Sequence, residues 1–273
     1  MNDGPIGIFD SGFGGLTVLR EIHKALPQHD FLYLGDNARS PYGSRSFETI
    51  YEYTLECVRY LFEQNCPLII LACNTASAKA LRNIQQNDLP HISAEKRVLG
   101  VIRPTAEVIG NYSKSKHVGV LGTTGTINSN SYLIEIEKQD PYLKVFQQSC
   151  PMWVPIVEYG EATSDGTDYF IKQYLDELFA QSPLIDTILL ACTHYPLLIE
   201  KIRKYVPDHI TILNQGEIVA PSLANYLNRH KNLASHCLTN QNLVFKTTDS
   251  TEHFDKHATD FFGRKVSSQF IHI

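Results

Sequence analysis

Short runs of apolar residues punctuate the chain. Between them lie longer stretches in which apolar positions recur with helical spacing. The runs Ile6–Phe9, Phe31–Leu34, Leu68–Ala72 and Val98–Val101 predict strands, and the stretches Leu16–Leu26, Ser46–Glu63 and Thr75–Gln85 predict the helices between them. The same rhythm returns further on. Strands are predicted at His117–Leu121, Val145–Gln148 and Thr187–Ala191, with helices at Ile127–Lys138, Asp168–Ala180 and Pro196–Tyr205. Two more strands are predicted at Ile210–Leu213 and Leu243–Thr247, with a helix at Glu217–Arg229 between them. The strand runs are apolar on both faces, the signature of a parallel sheet covered by helices on each side. The chain reads as α/β throughout.

A faint repeat runs through this pattern. "IGIFDSGFGG" from Ile6 resembles "VGVLGTTGTI" from Val118, and "LIILACNT" from Leu68 resembles "TILLACTH" from Thr187. The two matches keep the same order and nearly the same separation, which points to duplication. The expected architecture is two pseudo-symmetric α/β domains with mostly parallel central sheets and the active site in the cleft between them. The first domain is expected over residues 1–98 and again over 210–273, the second over 99–209.

Ligands of open α/β sheets sit at the carboxyl ends of the strands. Five such ends are polar here: Asp10-Ser11, Gly35-Asp36, Cys73-Asn74-Thr75, Gly122-Thr123-Thr124 and Cys192-Thr193-His194. Halves packed face to face bring these ends into one cleft. The repeat then sets Cys73 and Cys192 at equivalent positions across a pseudo-twofold axis. A free cysteine is often only a small buried hydrophobe, and Cys57, Cys66, Cys150 and Cys237 are read that way. Cys73 and Cys192 differ because each ends a strand where a helix begins, and the positive end of that helix favours a thiolate. Two opposed thiols suit a reaction that removes a proton from one face of a carbon and returns one to the other. Their reference pKa of about 8.5 lies close enough to neutrality to serve either role.

The other motifs carry plainer alternatives. A metal site of Cys73, Cys192 and His194 has poor zinc spacing, and no C-x-x-C occurs. "DSGFGG" at Asp10–Gly15 fits neither dinucleotide nor P-loop patterns; a tight turn capped by Asp10 or Ser11 accounts for the glycines, while Asp10 itself suggests a further role. "RSPYGSRS" at Arg39–Ser46 reads equally as a plain loop or a binding loop. His194 is either a capping histidine or a proton-transfer partner two residues from Cys192. Glu158, after the apolar "WVPIV", reads as a strand-end carboxylate.

Composition narrows the function classes. The chain has 273 residues, 43% hydrophobic and 19% charged, with a net charge of −5 and basic residues spread along it. That argues against nucleic acid as a main partner, though not against a small anion held by backbone N–H groups. No apolar run reaches the ~18 residues of a membrane span, so no membrane partner is expected. Residues 1–5 lack the basic-then-apolar pattern of a signal peptide. A cytoplasmic location is expected, with the six cysteines as thiols.

Taken together, "IGIFDSGFGGLTVL", "YLGDNARSPYGSRS", "LACNTASA", "VPIVEYGE" and "LLACTHYPLL" closely resemble the glutamate racemases, of the cofactor-independent aspartate/glutamate racemase superfamily. The resemblance covers most of the chain up to about Leu213. It implies an isomerase that interconverts L- and D-glutamate for peptidoglycan synthesis without pyridoxal phosphate, any other cofactor or a metal. By motif match, Cys73 and Cys192 are the acid/base thiols, with Asp10 assisting Cys73, and His194 and Glu158 assisting Cys192. Asp10, Ser11, Pro41, Tyr42, Gly43, Asn74, Thr75, Thr193 and His194 hold the substrate; Thr123, Thr124 and Thr126 match the hydroxyl-rich turn less closely. A homodimer is expected. The chain departs from the pattern at Asn214-Gln215, where many members show Asp-Ser, and at Arg103. Activation by a cell-wall precursor is not expected, because the N-terminal extension of activated members is missing. The rival readings are an aspartate racemase, a non-catalytic amino-acid sensor and a metal-dependent hydrolase.

Overall fold

The computed structural model describes residues 2–273; Met1, the first residue of the segment read for a leader, lies outside them. Ten strands form two sheets. They are β1 (Ile6–Asp10), β2 (Phe31–Gly35), β3 (Leu68–Leu71), β4 (Arg97–Gly100), β5 (His117–Gly122), β6 (Lys144–Ser149), β7 (Thr187–Ala191), β8 (Thr211–Asn214), β9 (Leu243–Thr247) and β10 (Ser268–Phe270). One sheet has the order β10-β9-β2-β1-β3-β4 and the other β6-β5-β7-β8. Every pairing within them is parallel. All residues of β1, β2, β3 and β7 are buried, which is why their sequences do not alternate.

The repeat in the sequence is a repeat in the topology. The four strands β2-β1-β3-β4 of the larger sheet have the same spatial order as β6-β5-β7-β8 of the smaller. β1 thus corresponds to β5 and β3 to β7, as the paired motifs require. The expected return of the chain to the first half at residue 210 comes too early. Thr211–Asn214 pairs with β7 and forms the edge of the second sheet, and the first sheet is rejoined only at β9. A short edge strand of the form apolar-polar carries no sign of which sheet it joins.

Helices stitch the two sheets together. Leu16–Ala25 buries Leu16, Val18, Leu19 and Ile22, and Gln215–Arg229 buries Ile218, Val219, Leu223 and Leu227; the two pack on each other. One apolar cluster runs through both halves, from Ile8 and Leu16 to Trp153, Leu190 and Leu223. Separate clusters fill the outer faces of the larger and smaller sheets. A helix at Thr251–Phe262 caps the shared layer with Phe254, Ala258, Phe261 and Phe262. Glu158 is not at a strand end. Trp153–Glu158 is a short helix, with Trp153, Ile156 and Val157 inward and Glu158 at its last residue. Pro155 lies in the first turn, where its missing N–H costs the helix no bond.

Candidate active site

In each sheet the chain runs to one side of the first strand and then crosses to the other. The crevice between the carboxyl ends of β1 and β3, and that between β5 and β7, are therefore topological switch points, where such sheets bind ligands. Asp10, Ser11 and Cys73 flank the first; Thr123 and Cys192 flank the second. Both open into one cavity of about 270 Å³. Cys73 and Cys192 line it, with Ser11, Pro41, Tyr42, Gly43, Asn74, Thr75, Thr123, Thr124, Glu158, Thr193 and His194. Asp10 and Thr126, both with no exposed surface, stand behind its wall.

Cys73 caps the helix Asn74–Lys79, and its Sγ accepts the Ala76 N–H at 3.4 Å. It also donates to Ser11 Oγ at 3.6 Å. Burial, reinforced by the negative charge of Asp10, pushes the Cys73 thiol up to about 12, against the opposing hydrogen bonds with the Ala76 N–H and the Ser11 hydroxyl. The helix end alone therefore does not make a thiolate here: one N–H, on a helix of six residues, is outweighed by desolvation.

Cys192 has a different neighbour. His194 Nδ1 lies 4.0 Å from Cys192 Sγ, and His194 Nε2 lies 3.0 Å from Glu158 Oε1. Burial pulls the His194 pKa down, but the hydrogen bonds to Cys192 and Glu158 outweigh it and raise the ring to about 10. At neutral pH His194 is a cation held between a thiol position and a carboxylate. The two sides of the cavity thus differ: a neutral thiol with a buried acid behind it faces a sulfur with a buried cation beside it.

Asp10 joins the two sides. Its carboxylate accepts the Gly12 N–H at 3.0 Å and the Thr193 hydroxyl at 3.5 Å. Burial raises its pKa, offset in part by the charge of His194 and the N–H groups of Gly15 and Gly12. The glycines of "DSGFGG" serve close approach between the halves. A Cβ on Gly14 would lie 2.1 Å from Thr193 Oγ1 and 2.5 Å from His194 Nδ1. The Thr17 hydroxyl donates to the Thr193 carbonyl at 2.9 Å and ties the same contact.

Across the cavity, Thr75, Thr123 and Thr126 form a triangle of hydroxyls, with Oγ1 separations of 3.0, 3.1 and 3.3 Å. The Gly125 N–H donates to the Gly43 carbonyl at 2.9 Å and zips the loop around Pro41 to the second half. Tyr42 lines the cavity, but its hydroxyl is committed to Asp36, at 2.5 Å. Asp36 also accepts from Arg39 Nε at 2.7 Å and Thr248 Oγ1 at 2.9 Å. The fifth polar strand end thus anchors the loop and does not reach the cavity.

Sequence reasoning missed part of the wall. Ser40, Ser44, Cys150, Pro151, Val154 and Pro155 also line the cavity. Cys150, read as an inert buried thiol, is fully buried and still part of that wall. Val154, Pro155 and Glu158 share one face of their helix while Trp153, Ile156 and Val157 take the other. That helical spacing was the signal available. All six cysteines are free and buried. Among the described residues no group of three or more ligating side chains is arranged to hold a metal. Among the described residues no Lys or Arg lines the cavity, so an anionic ligand there depends on N–H and O–H donors and on the His194 cation. The arrangement suits proton transfer on two faces of a small ligand.

Known proteins are similar in sequence and shape. Residues 6–221 match the model of the Asp/Glu/Hydantoin racemase family. A glutamate racemase from Persephonella marina is 43% identical over 252 residues, covering 92% of this chain and 90% of that protein. The structure of a glutamate racemase isoform from Bacillus anthracis superposes with a TM-score of 0.90 at 35% identity, covering 100% of this chain and 99% of that one. A Francisella tularensis glutamate racemase, solved in complex with D-glutamate, gives 0.87 at 31% identity, covering 100% and 98%. With two thiols at matched switch points and this likeness along its length, the chain belongs to the Asp/Glu/hydantoin racemase family and, within it, to the glutamate racemases.

Proposed function

We propose that this protein interconverts L- and D-glutamate by proton transfer between Cα and two cysteines, and supplies D-glutamate for peptidoglycan synthesis. The observation that carries the reading is the pair Cys73 and Cys192, set at equivalent strand ends of two repeated sheets and lining one cavity. The names of the relatives support glutamate as the substrate.

One thiolate removes the α-proton and becomes a thiol; the electron pair passes to the α-carboxylate as the carbanion forms. The opposite thiol gives its proton to the other face and becomes the thiolate. With His194 cationic beside Cys192 and Cys73 held as a neutral thiol, one direction starts with Cys192 as base and Cys73 as acid. The reverse direction exchanges the roles. Hydroxyls of Ser11, Thr75, Thr123 and Thr193 with the Asn74 amide supply fixed donors in a water-poor site, where they stabilise developing charge most. Glu158 keeps His194 charged, and Asp10 stands one layer behind as a buried acid. The scheme uses no cofactor or metal.

The working units of the proposal are β1–β4 with β9 and β10, and β5–β8, each with its helices, closing on the substrate between them. A cytoplasmic homodimer goes with this reading, and sedimentation of the purified protein reads its assembly. The direct test is polarimetry with L-glutamate, D-glutamate and both aspartates, with no cofactor added. Loss of rotation from either glutamate enantiomer is expected, with aspartate unchanged. Rotation lost from aspartate alone, or from neither, contradicts the proposal.

A further inference from the structure

Three buried side chains close a ring of hydrogen bonds beside the cavity. Gln215 Nε2 donates to the Tyr132 hydroxyl. The Tyr132 hydroxyl donates to Asn74 Oδ1 at 2.6 Å, and Asn74 Nδ2 donates to Gln215 Oε1 at 2.5 Å. Asn74 and Gln215 are 3% exposed and Tyr132 is 0% exposed. The three bonds run in one rotational sense, so each polarises the next.

By itself such a ring has no preferred sense. Turning over both amides and reversing the hydroxyl satisfies the same three contacts. Asn74 would then present its oxygen where it now presents nitrogen. A fourth contact decides between the two. The Val101 carbonyl lies 3.4 Å from Gln215 Nε2, and a carbonyl accepts only from a donor. It fixes the Gln215 amide, Gln215 fixes the direction of the Tyr132 hydroxyl, and the two fix Asn74. Asn74 lines the cavity, and its second amide N–H has no acceptor among the described residues.

The ring also sits where the chain passes between the halves. Asn74 follows β3 of the larger sheet, and Tyr132 lies on the helix Ser131–Gln139 that covers the smaller. Val101 directly follows β4, at the first crossing. Gln215 directly follows β8 and begins the helix Gln215–Arg229, at the second.

We propose that Gln215 and Tyr132 are positioning residues, which hold the Asn74 amide so that it offers an N–H and not its oxygen to a carboxylate of the substrate, with the Val101 carbonyl setting that polarity. This rests on the racemase reading above. Each variant is assayed for glutamate racemisation by circular dichroism and for D-glutamate binding by calorimetry. Tyr132→Phe keeps the ring's shape and removes the hydroxyl. It raises KM and Kd about tenfold, the scale of one hydrogen bond to a charged group, with kcat within about threefold. Asn74→Ala weakens binding at least as much, and the double variant binds no worse than Asn74→Ala alone, because Tyr132 acts only through Asn74.

Gln215→Glu supplies the conservative rescue. A protonated carboxyl donates its O–H to Tyr132 and accepts from Asn74, rebuilding the ring though not the bond to the Val101 carbonyl; an ionised one only accepts, so the bond to Tyr132 is lost and a negative charge faces the Val101 carbonyl. The KM of this variant is closest to wild type at low pH and rises about tenfold as the carboxyl ionises, a step the wild type lacks. Should Tyr132→Phe fail to fold, this pH dependence carries the test. Multiplying effects in the double variant, or a KM of Gln215→Glu that follows wild type at every pH, overturns the inference. A wild type that binds glutamate without racemising it refutes the racemase reading and leaves the ring to be judged on Kd. A wild type that does neither overturns both.

Discussion

Replacing Glu158 by Gln keeps the size of the side chain and removes its charge. The structure sets what this costs. Glu158 Oε1 lies 3.0 Å from His194 Nε2, with side chains 23% and 6% exposed. Two unit charges at that separation interact by about 5 kcal/mol at an effective dielectric of about 20. Water reaching the partly exposed carboxylate screens part of this, and Gln keeps a hydrogen bond. The net loss is about 1.5 to 3 kcal/mol, the range for a charge-assisted bond made neutral. His194 is raised to about 10 in the wild type by Cys192 and Glu158 against burial, and the scheme needs its cation beside Cys192. Wild-type kcat/KM therefore falls as pH rises through about 10. In Glu158→Gln the alkaline fall begins about one to two pH units lower. Stability follows the same sign. A histidine whose folded pKa is raised contributes in full below its unfolded value of about 6.5. That contribution is lost as pH climbs through about 10, and earlier in the variant. Racemisation from pH 6 to 11 by circular dichroism, with urea melts at pH 7 and 10, makes both readings. An alkaline limb that stays in place in Glu158→Gln refutes the coupling of Glu158 to His194.

Cys73→Ala and Cys192→Ala each abolish racemisation with far-ultraviolet spectra unchanged, and Cys→Ser at either position loses orders of magnitude in kcat, since a hydroxyl is far less acidic than a thiol; a variant that keeps most of its rate shows that its sulfur is only structural. Asp10→Asn lowers kcat about 10- to 100-fold with KM within about threefold, because Asp10 stands behind the cavity wall and not in it; an effect confined to KM assigns it to binding. Gly14→Ala forces a methyl to within 2.1 Å of Thr193 Oγ1 and costs about 3 kcal/mol or more in a urea melt; a melt that does not move contradicts the close approach of the halves.

The parts of the fold that were legible are those with no competing pattern. β1, β3, β5 and β7 are continuous apolar runs ending in polar residues, and burial on both faces leaves no other reading. The two thiols were legible because the repeat marked them. Glu158 was misplaced because "WVPIV" is short, apolar and interrupted by Pro155, which suggests a strand unless Trp153, Ile156 and Val157 are seen at helical spacing. The helix Thr251–Phe262 was legible and passed unread: Ser250 caps it, Gly263 ends it in the left-handed region, and its buried residues fall on one face. The point at which the chain rejoins the first sheet was not legible, since β8 differs from an edge strand of that sheet only in the partner it meets. Nor was the loss of the Tyr42 hydroxyl to Asp36, which depends on how the loop between them turns, nor the ring through Gln215, whose side chains come from distant segments.

The central claim is that two different sulfurs serve the two faces of Cα. A thiol holds one exchangeable proton, so the proton taken from one face is not the one delivered to the other. In heavy water, the sulfur that starts as the thiol carries deuterium before turnover, and the one that starts as the thiolate carries none. Starting from L-glutamate at low conversion, the newly formed D-glutamate is expected to carry deuterium at Cα, while the remaining L-glutamate stays protiated, because return to the same face restores the original proton. Proton NMR of the Cα signal after separation of the enantiomers makes the measurement. Substantial protium in the D product, as a single base swinging between faces would give, contradicts the two-thiol account whatever the cysteine variants do.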